Sequence, residues 1–596
     1  MIDSGFIHPS LFFAALAALL LVWRGQSYKW LLPLPGILAI LAVVSMKSGT
    51  YASFDYLGLK LTMGRVDRLS IIFAHVFAIQ ATIGFVYAMH VKDRAQHVAA
   101  AMYVGGSFGC TFAGDYLTLF IFWEIMSVAS TFLVWLARNP LSTRAGFRYF
   151  LFHIMGGLFL LAGMLLRYKA VGNFDFLPVA QGAALYYDYL ILIGFCVNAA
   201  VVPLHAWLPD AYPEATVTGA VFMSAFTTKT AVYVLARVFS GYEILAIMGT
   251  VMTLYGVFYA TIENNARRIL AYHIVSQVGY MVAGIGIGTQ MTVNGACAHA
   301  YAHILYKGLL FMGAGCVLYA AGTAKLNELG GLVGRIPLVM FGYMIGAVSI
   351  SGFPLFNGFV SKTMTITGAA AAHHGILAIL LEVAAVGTFL SVGIKLPYFA
   401  FWGGKPVSER PLRPVPWNMY LGMAIGGSLC FLQGIYPQML YRLLPFPMTP
   451  GAPYAYQPYT NWHVLQALLL LSFTGLGFYL MNKKLKPEAK INLDFDYVYR
   501  LVGRSVVLVA RYPIELIDNW WTEVYRRVGL RSLLGMGWFT SVFDKQGIDG
   551  VLDNSAYGVR GTGSILSKVQ TGRLQDYLAG LVVLGLLVLI VFLYIY

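Results

Sequence analysis

Apolar runs long enough to cross the roughly 30 Å hydrocarbon core of a bilayer recur along this whole chain, and nothing else in it constrains the fold as strongly. They fall near residues 11–24, 31–46, 67–90, 98–113, 116–137, 149–168, 186–208, 215–240, 244–262, 269–289, 292–320, 338–364, 375–402, 418–440, 463–481 and 575–596, about sixteen in all. Of 596 residues 59% are hydrophobic and 11% charged, whereas soluble proteins carry about a quarter charged residues. Inside a bilayer every backbone polar group must be paired within the protein, so each run folds as a helix, and no period-two barrel pattern competes. The expected fold is an all-α polytopic membrane protein in the cell (inner) membrane. The first run has no basic stretch before it and no small-residue cleavage pattern after it, and is read as a retained helix rather than a signal peptide.

The formal net charge of +15 would suggest nucleic acid in a soluble protein; here its placement carries the information. With the amino terminus outside, the inside loops carry Arg24, Lys29, Lys92, Arg94, Arg138, Arg144, Arg148, Arg267, Arg268, Lys325, Arg335, Lys405, Arg410 and Arg413. The opposite loops carry fewer: Lys47, Lys60, Arg65, Arg167, Lys169 and Arg237. That asymmetry follows the positive-inside rule and puts the basic stretch Lys483 to Arg573 inside. Cys110, Cys196, Cys297, Cys316 and Cys430 are isolated in apolar spans and form no metal-ligand or disulfide pattern. They read as small packing residues. No flavin, iron-sulfur, haem or nucleotide motif is present, so no cofactor and no catalytic redox site is expected in this chain; GIGIG at 284–288 follows no strand and reads as close helix packing.

Residues 1–445 are nearly continuous membrane helix, followed by the loop PFPMTPGAPYAYQPY, one span, an amphipathic stretch and a last span. Two spans contain helix breakers: VVPLHAWLPDAYPEA, with Pro203, Pro209 and Pro213, and SISGFPLFNGFVSK, with Gly352, Pro354 and Gly358. Interrupted helices in corresponding positions point to an internal repeat with ion sites at the breaks.

Ionisable residues inside spans cost about 2.5–3.5 kcal/mol each at mid-helix, so several along one route indicate function. Glu124 and Lys229 are lone charges within apolar spans. His299, His303 and Lys307 are spaced by four residues and line one helix face. Lys362 ends the second broken span, and Glu382 and Lys395 belong to the next. Lysine and histidine whose basicity burial brings near neutrality suit a chain of proton acceptors. The plainer readings are a structural ion pair for Glu124 and Lys229, and snorkelling for Lys395 beside Pro397. His205, in the first break, can relay, ligate or cap; His273, beside the Arg267–Arg268 loop, is expected at the interface.

GDYLTLFIFWE, PLHAWLPDAYPEA, RRILAYHIVSQVGYM, HAYAHILYKGLLF and ISGFPLFNGFVSK resemble, in order and over roughly residues 65–405, motifs of the antiporter-like subunits shared by respiratory complex I, membrane-bound hydrogenases and Mrp-type cation/proton antiporters. The resemblance implies fourteen core helices with two inverted five-helix repeats, and a proton pathway through Glu124, Lys229, His299, His303, Lys307 and Lys362. His205, Glu382 and Lys395 are accessory candidates. It implies N-terminal helices at 1–97, a first repeat at 98–240, a second at 241–405, further helices at 406–482, a lateral amphipathic segment at 483–573 and an anchor at 574–596. The tail resembles that of the distal pumping subunit of complex I, although Pro513 and the glycines at 529, 535, 537, 547 and 550 predict a broken lateral helix. Where the family usually carries a lysine, seven residues before the histidine of PLHAWLP, this chain has Asn198, which takes up no proton near neutral pH. Lys229 is then the expected partner of Glu124.

The functions these features imply are a proton-translocating subunit of a redox-driven complex, a subunit of a sodium/proton antiporter, or a structural subunit with an inactive channel. Expected partners are other membrane subunits, lipid, and protons or sodium; no nucleic acid is expected.

Overall fold

The computed structural model describes residues 2–3, 6–23, 25–403, 411–448, 456–488 and 492–595. Arg24, Lys405 and Arg410 of the charge asymmetry, the 405/406 boundary and residues 449–455 of the Pro/Tyr-rich loop lie outside them. The chain divides into two compact units, Met1–Asp496 and Tyr497–Tyr596.

The first unit begins with two antiparallel ribbons that helix-length hydrophobicity does not reveal: β1 (Ile2–Asp3) with β2 (Phe6–Ile7), and β3 (Gly49–Tyr56) with β4 (Leu59–Val66). The second turns at Leu57 and Gly58, both at positive φ (52° and 77°), a pair that matches the twist of a tight hairpin. The helices of this part are α1 (Ser10–Val22), α2 (Leu34–Ser45), α3 (Arg68–Ala88), α4 (Arg94–Phe112), α5 (Tyr116–Trp135) and α6 (Pro140–Val171). Then come α7 (Tyr186–Asn198), α8 (Trp207–Ala211), α9 (Val217–Met223), α10 (Thr227–Val238), α11 (Glu243–Ile262), α12 (Ala266–Ile287) and α13 (Gln290–Ala321). The unit continues with α14 (Pro337–Ser351), α15 (Asn357–Ala371), α16 (Gly375–Thr388), α17 (Trp417–Ile435), α18 (Gln438–Tyr441) and α19 (Asn461–Met481).

Side-chain caps set several of these helix starts. Asp115 accepts from Thr118 N at 2.7 Å to begin α5, Asn139 accepts from Ser142 N at 2.8 Å to begin α6, and Thr289 begins α13. Both expected breaks are present, between α7 and α8 and between α14 and α15. A third interruption, Ser224–Phe226, separates α9 from α10 inside the run read as one span. Among the described residues eleven helical stretches are long and apolar enough to cross a membrane. That is fewer than the apolar runs, in part because the breaks shorten α7 to 13 residues and α14 to 15, and α1 has 13.

α12 and α13 form the centre: the apolar window of α12 is wholly buried and that of α13 83% buried. Glycine-mediated approach fixes α11 on α12: a Cβ at Gly286 would stand 2.0 Å from Ala246 N, and one at Gly249 would stand 2.3 Å from Ala283 N. GIGIG is thus a packing element. The five cysteines are free and buried, as packing residues.

In the tail, α20 (Phe495–Val509), α21 (Glu515–Val524), α22 (Arg531–Val542) and α23 (Gly550–Val569) are joined by π-helical stretches at Ala510–Ile514, Tyr525–Leu530 and Phe543–Asp549, and α24 (Leu574–Ile595) follows. The expectation of a broken lateral helix is therefore corrected. The π turns take in Pro513, Gly529 and Gly547, and widening the helix relieves the clash of a proline ring with the preceding turn. From Phe495 to Val569 the helix is continuous, about 110 Å at 1.5 Å per residue.

Candidate functional site

α13 carries His299, His303 and Lys307, each fully buried, with neighbouring imidazole centroids 6.2 Å apart. His299 Nδ1 lies 3.1 Å from Ser361 Oγ on α15, one residue before Lys362. On its other side His299 Nε2 is 3.4 Å from Tyr306 OH, which donates to Gln277 Oε1 of α12, also at 3.4 Å. Both His303 nitrogens and Lys307 Nζ are buried without a hydrogen-bond partner among the described residues. Buried polar atoms left unpaired are costly, so three on one face set this stretch of α13 apart from an ordinary packing surface.

The flanking lysines are held differently. Lys229 Nζ donates to Ser224 O at 2.6 Å and to Thr228 Oγ1 at 3.0 Å, against the carbonyl end of α9. Lys362 Nζ donates to Ile350 O at 2.6 Å, at the end of α14, and stands 5.2 Å from the centre of the Tyr280 ring. Lys395 Nζ donates to Thr261 O and Glu263 O at 2.7 and 2.8 Å, at the end of α11. Each sits where unpaired carbonyls and the negative end of a helix dipole favour a cation. Lys395 is therefore a buried helix-end cap rather than a snorkelling group. Lys362 follows Ser361, so α15 brings this lysine beside the histidines of α13.

Glu124 is partly buried on α5, its Oε1 against Gly157 of α6, where a Cβ would stand 2.2 Å away. The expected pairing with Lys229 is corrected: among the described residues no ion pair joins them, because Lys229 is turned onto Ser224 O. Glu382 accepts a hydrogen bond from Gln466 of α19 and lines, with Lys362, Thr363 and His463, a cavity of about 60 Å³. His273 is corrected from interfacial to fully buried, with Nε2 2.6 Å from Ser391 Oγ; the adjacent arginines lie one turn nearer the helix start, so sequence proximity to a loop was misleading. A further cavity of about 700 Å³ is lined by side chains of the loops assigned to the inside, among them Lys92, Asn139, Asn265 and Lys325, together with Glu214 and Arg267.

Two participants escaped sequence reasoning. Asp494, in the loop before α20, reaches the first break: its Oδ1 lies 3.5 Å from His205 Nε2, and it accepts from Tyr272 OH at 2.6 Å and from Tyr255 OH. Burial opposes its ionisation, yet the hydrogen bonds from His205, Tyr255 and Tyr272 hold its carboxyl down at about 2. His153 of α6, fully buried, has Nδ1 2.8 Å from Asn198 Oδ1. Its signal was available in FRYFLFHIMGG, a lone histidine in an apolar span.

Comparison with known proteins agrees with this architecture. Residues 113–390 match the family model described as NADH:quinone oxidoreductase/Mrp antiporter, TM. An Na(+)/H(+) antiporter subunit of Alkalihalophilus pseudofirmus is 28% identical over 490 residues, 72% of this chain and 60% of that relative. Hydrogenase-4 component B of Escherichia coli is 27% identical over 455 residues, 67% of this chain and 67% of its own length. The chain thus spans about 60% of the length of the first relative. A chain of the membrane-bound sulfane sulfur reductase, an archaeal respiratory membrane complex, has the same fold at 21% identity and a TM-score of 0.69, over 98% of this chain and 99% of that one. With the motif order, the broken helices and the buried histidines and lysine of α13 in place, the chain is a multi-pass membrane protein whose residues 113–390 match the membrane domain described for NADH:quinone oxidoreductases and Mrp antiporters.

Proposed function

We propose that the chain is a proton-translocating membrane subunit of a multisubunit, redox-driven complex, with Glu124, Lys229, His299, His303, Lys307 and Lys362 as the buried pathway. The observation that carries this reading is the unpartnered set on α13, both His303 nitrogens and Lys307 Nζ, between two lysines anchored on helix ends. A lysine without a fixed acceptor gives up its proton at low cost, and the neutral imidazoles beside it accept one. Lys229 and Lys362 hold their protons against carbonyls and return them when the charge of Lys307 changes. In this reading residues 98–240 and 241–405 are two half-channels joined by α13. The cavity lined by the inside loops is the entrance, and Glu382 and the small cavity at Lys362 lie on the exit side.

A redox-driven parent is favoured because the likeness to the respiratory sulfane sulfur reductase chain extends over the tail as well as the core. The long helix from Phe495 would lie along neighbouring membrane subunits. The second reading, exchange of protons for a monovalent cation, rests on the name of the Alkalihalophilus relative. The composition of the intact complex separates the two: hydrophilic redox subunits identify a pump, and small membrane subunits alone identify an exchanger. The pathway itself is tested by Lys307→Ala in the intact complex, in membrane vesicles with a pH-sensitive dye. Coupled proton movement is lost while assembly on a native gel is kept; undiminished movement would refute the pathway.

A further inference from the structure

The first half of the axis has a carboxylate, Glu124, but the position at which the family resemblance calls for a lysine is Asn198. α6 brings a different group to that place. His153 is fully buried, and its Nδ1 lies 2.8 Å from Asn198 Oδ1. An amide oxygen only accepts, so the Nδ1 atom carries the proton and Nε2 is left with its lone pair. That Nε2 has no partner among the described residues, and neither has Glu124 Oε1.

One turn along the same face of α6 is Gly157, about 6 Å further along the axis. A Cβ at Gly157 would meet Glu124 Oε1 at 2.2 Å, so a glycine there admits the carboxylate into the helix surface. α6 packs against α5, α7 and α8. Beside the imidazole these helices contribute Asn198 and Trp207, whose ring centroid is 4.7 Å away, while Tyr149 of α6 itself stands at 4.2 Å and Glu124 lies at Gly157 one turn along. The other carboxylates of these helices are already paired, Asp210 with Arg148 and Asp188 with Arg167. Glu124 is thus the carboxylate left to the imidazole.

We propose that His153 is the proton-carrying partner of Glu124 in the first half of the axis, in the role that the resemblance gives to a lysine at position 198; this rests on the proton-translocating reading above. A proton leaving the Glu124 carboxyl binds the Nε2 lone pair, which leaves a carboxylate and an imidazolium. Its release from Nε2 towards Lys229 restores the neutral ring with Nδ1–H still donated to Asn198. Asn198 is the positioning residue that fixes the tautomer.

The test compares His153→Gln, the double variant His153→Ala/Asn198→Lys and Lys307→Ala in the intact complex in membrane vesicles, with dye-reported proton movement and native-gel assembly as readouts. The proposal expects an assembled His153→Gln complex with proton movement reduced at least about 100-fold, within the range for removing one proton-transfer group. It also expects the double variant to return most of that loss, which a packing role for the imidazole would not produce. If His153→Gln fails to assemble, the double variant decides: active supports the proposal, and assembled but inactive overturns it. Wild-type movement in His153→Gln alongside an inactive Lys307→Ala overturns the role of His153 alone. Wild-type movement in Lys307→Ala overturns the pathway as a whole.

Discussion

At the second interruption Lys362 reaches back to Ile350 O, and the Asn357 side chain is held by Ser349 Oγ at 2.5 Å and donates to Gln433 Oε1 at 3.2 Å. At the first, no lysine reaches back. His153 holds Asn198, and His205 faces a carboxylate brought from Asp494, far along the chain. The second break is closed locally by a lysine on a backbone carbonyl; the first is closed by imidazole rings and a distant carboxylate. The comparison teaches that freed backbone at membrane depth can be satisfied by different chemistry, and that the chemistry decides what the break can do. In the proposed pathway a lysine on a helix end stores a proton. A histidine beside a carboxylate ties the break to another segment of the protein.

Lys362→Ala should break the comparison most severely. It removes the proton group and the side-chain donor to Ile350 O together, and we expect coupled proton movement to fall by about 100-fold or more in vesicles. Lys229→Ala should be next, with a smaller loss than Lys362→Ala, since a lost donor at Ser224 O leaves α13 and Lys362 intact. Undiminished movement in that variant would remove Lys229 from the pathway. Gly358→Ala probes the packing of the second break alone: its Cβ would stand 1.8 Å from Ser349 O, and overpacking costs about 1–3 kcal/mol or more, read as a lower thermal midpoint.

Asp494→Ala probes the first break in the same way. It strips the acceptor from two tyrosine hydroxyls and from His205, at about 1–3 kcal/mol, with a smaller loss for Asp494→Asn. Because the folded-state carboxyl is held at about 2 against an ordinary 3.8, its contribution is complete above about pH 4 and fades as the pH falls towards 2. Thermal unfolding of the solubilised wild type between pH 6 and pH 3 should therefore show an acid-side loss of stability that Asp494→Asn reduces.

Much of this was legible because the constraint is strong. A bilayer forces apolar runs into helices, and four-residue spacing on α13 fixes His299, His303 and Lys307 to one face whatever surrounds them. Prolines and glycines marked two of the breaks for the same local reason. The hairpin at residues 49–66 was missed because its alternation lies between spans and carries no membrane signal. The lateral helix was read as broken because proline and glycine cost helix stability on average, whereas π turns at Ala510–Ile514 and Tyr525–Leu530 accommodate them here. Glu124 and Lys229 looked like a pair because they were the lone charges of neighbouring spans, but rotation of α10 sends the lysine to Ser224 O.

By itself the sequence determined the helical membrane fold and the shared face of His299, His303 and Lys307, both properties of local composition and spacing; the anomaly at Asn198 is what the family resemblance implied. Only the tertiary structure decided which groups complete each break: that His153 meets Asn198, that Gly157 admits Glu124 and that Asp494 reaches His205. Those partners lie on different helices, and their meeting depends on helix rotation and close approach at glycines, which no spacing within one segment encodes.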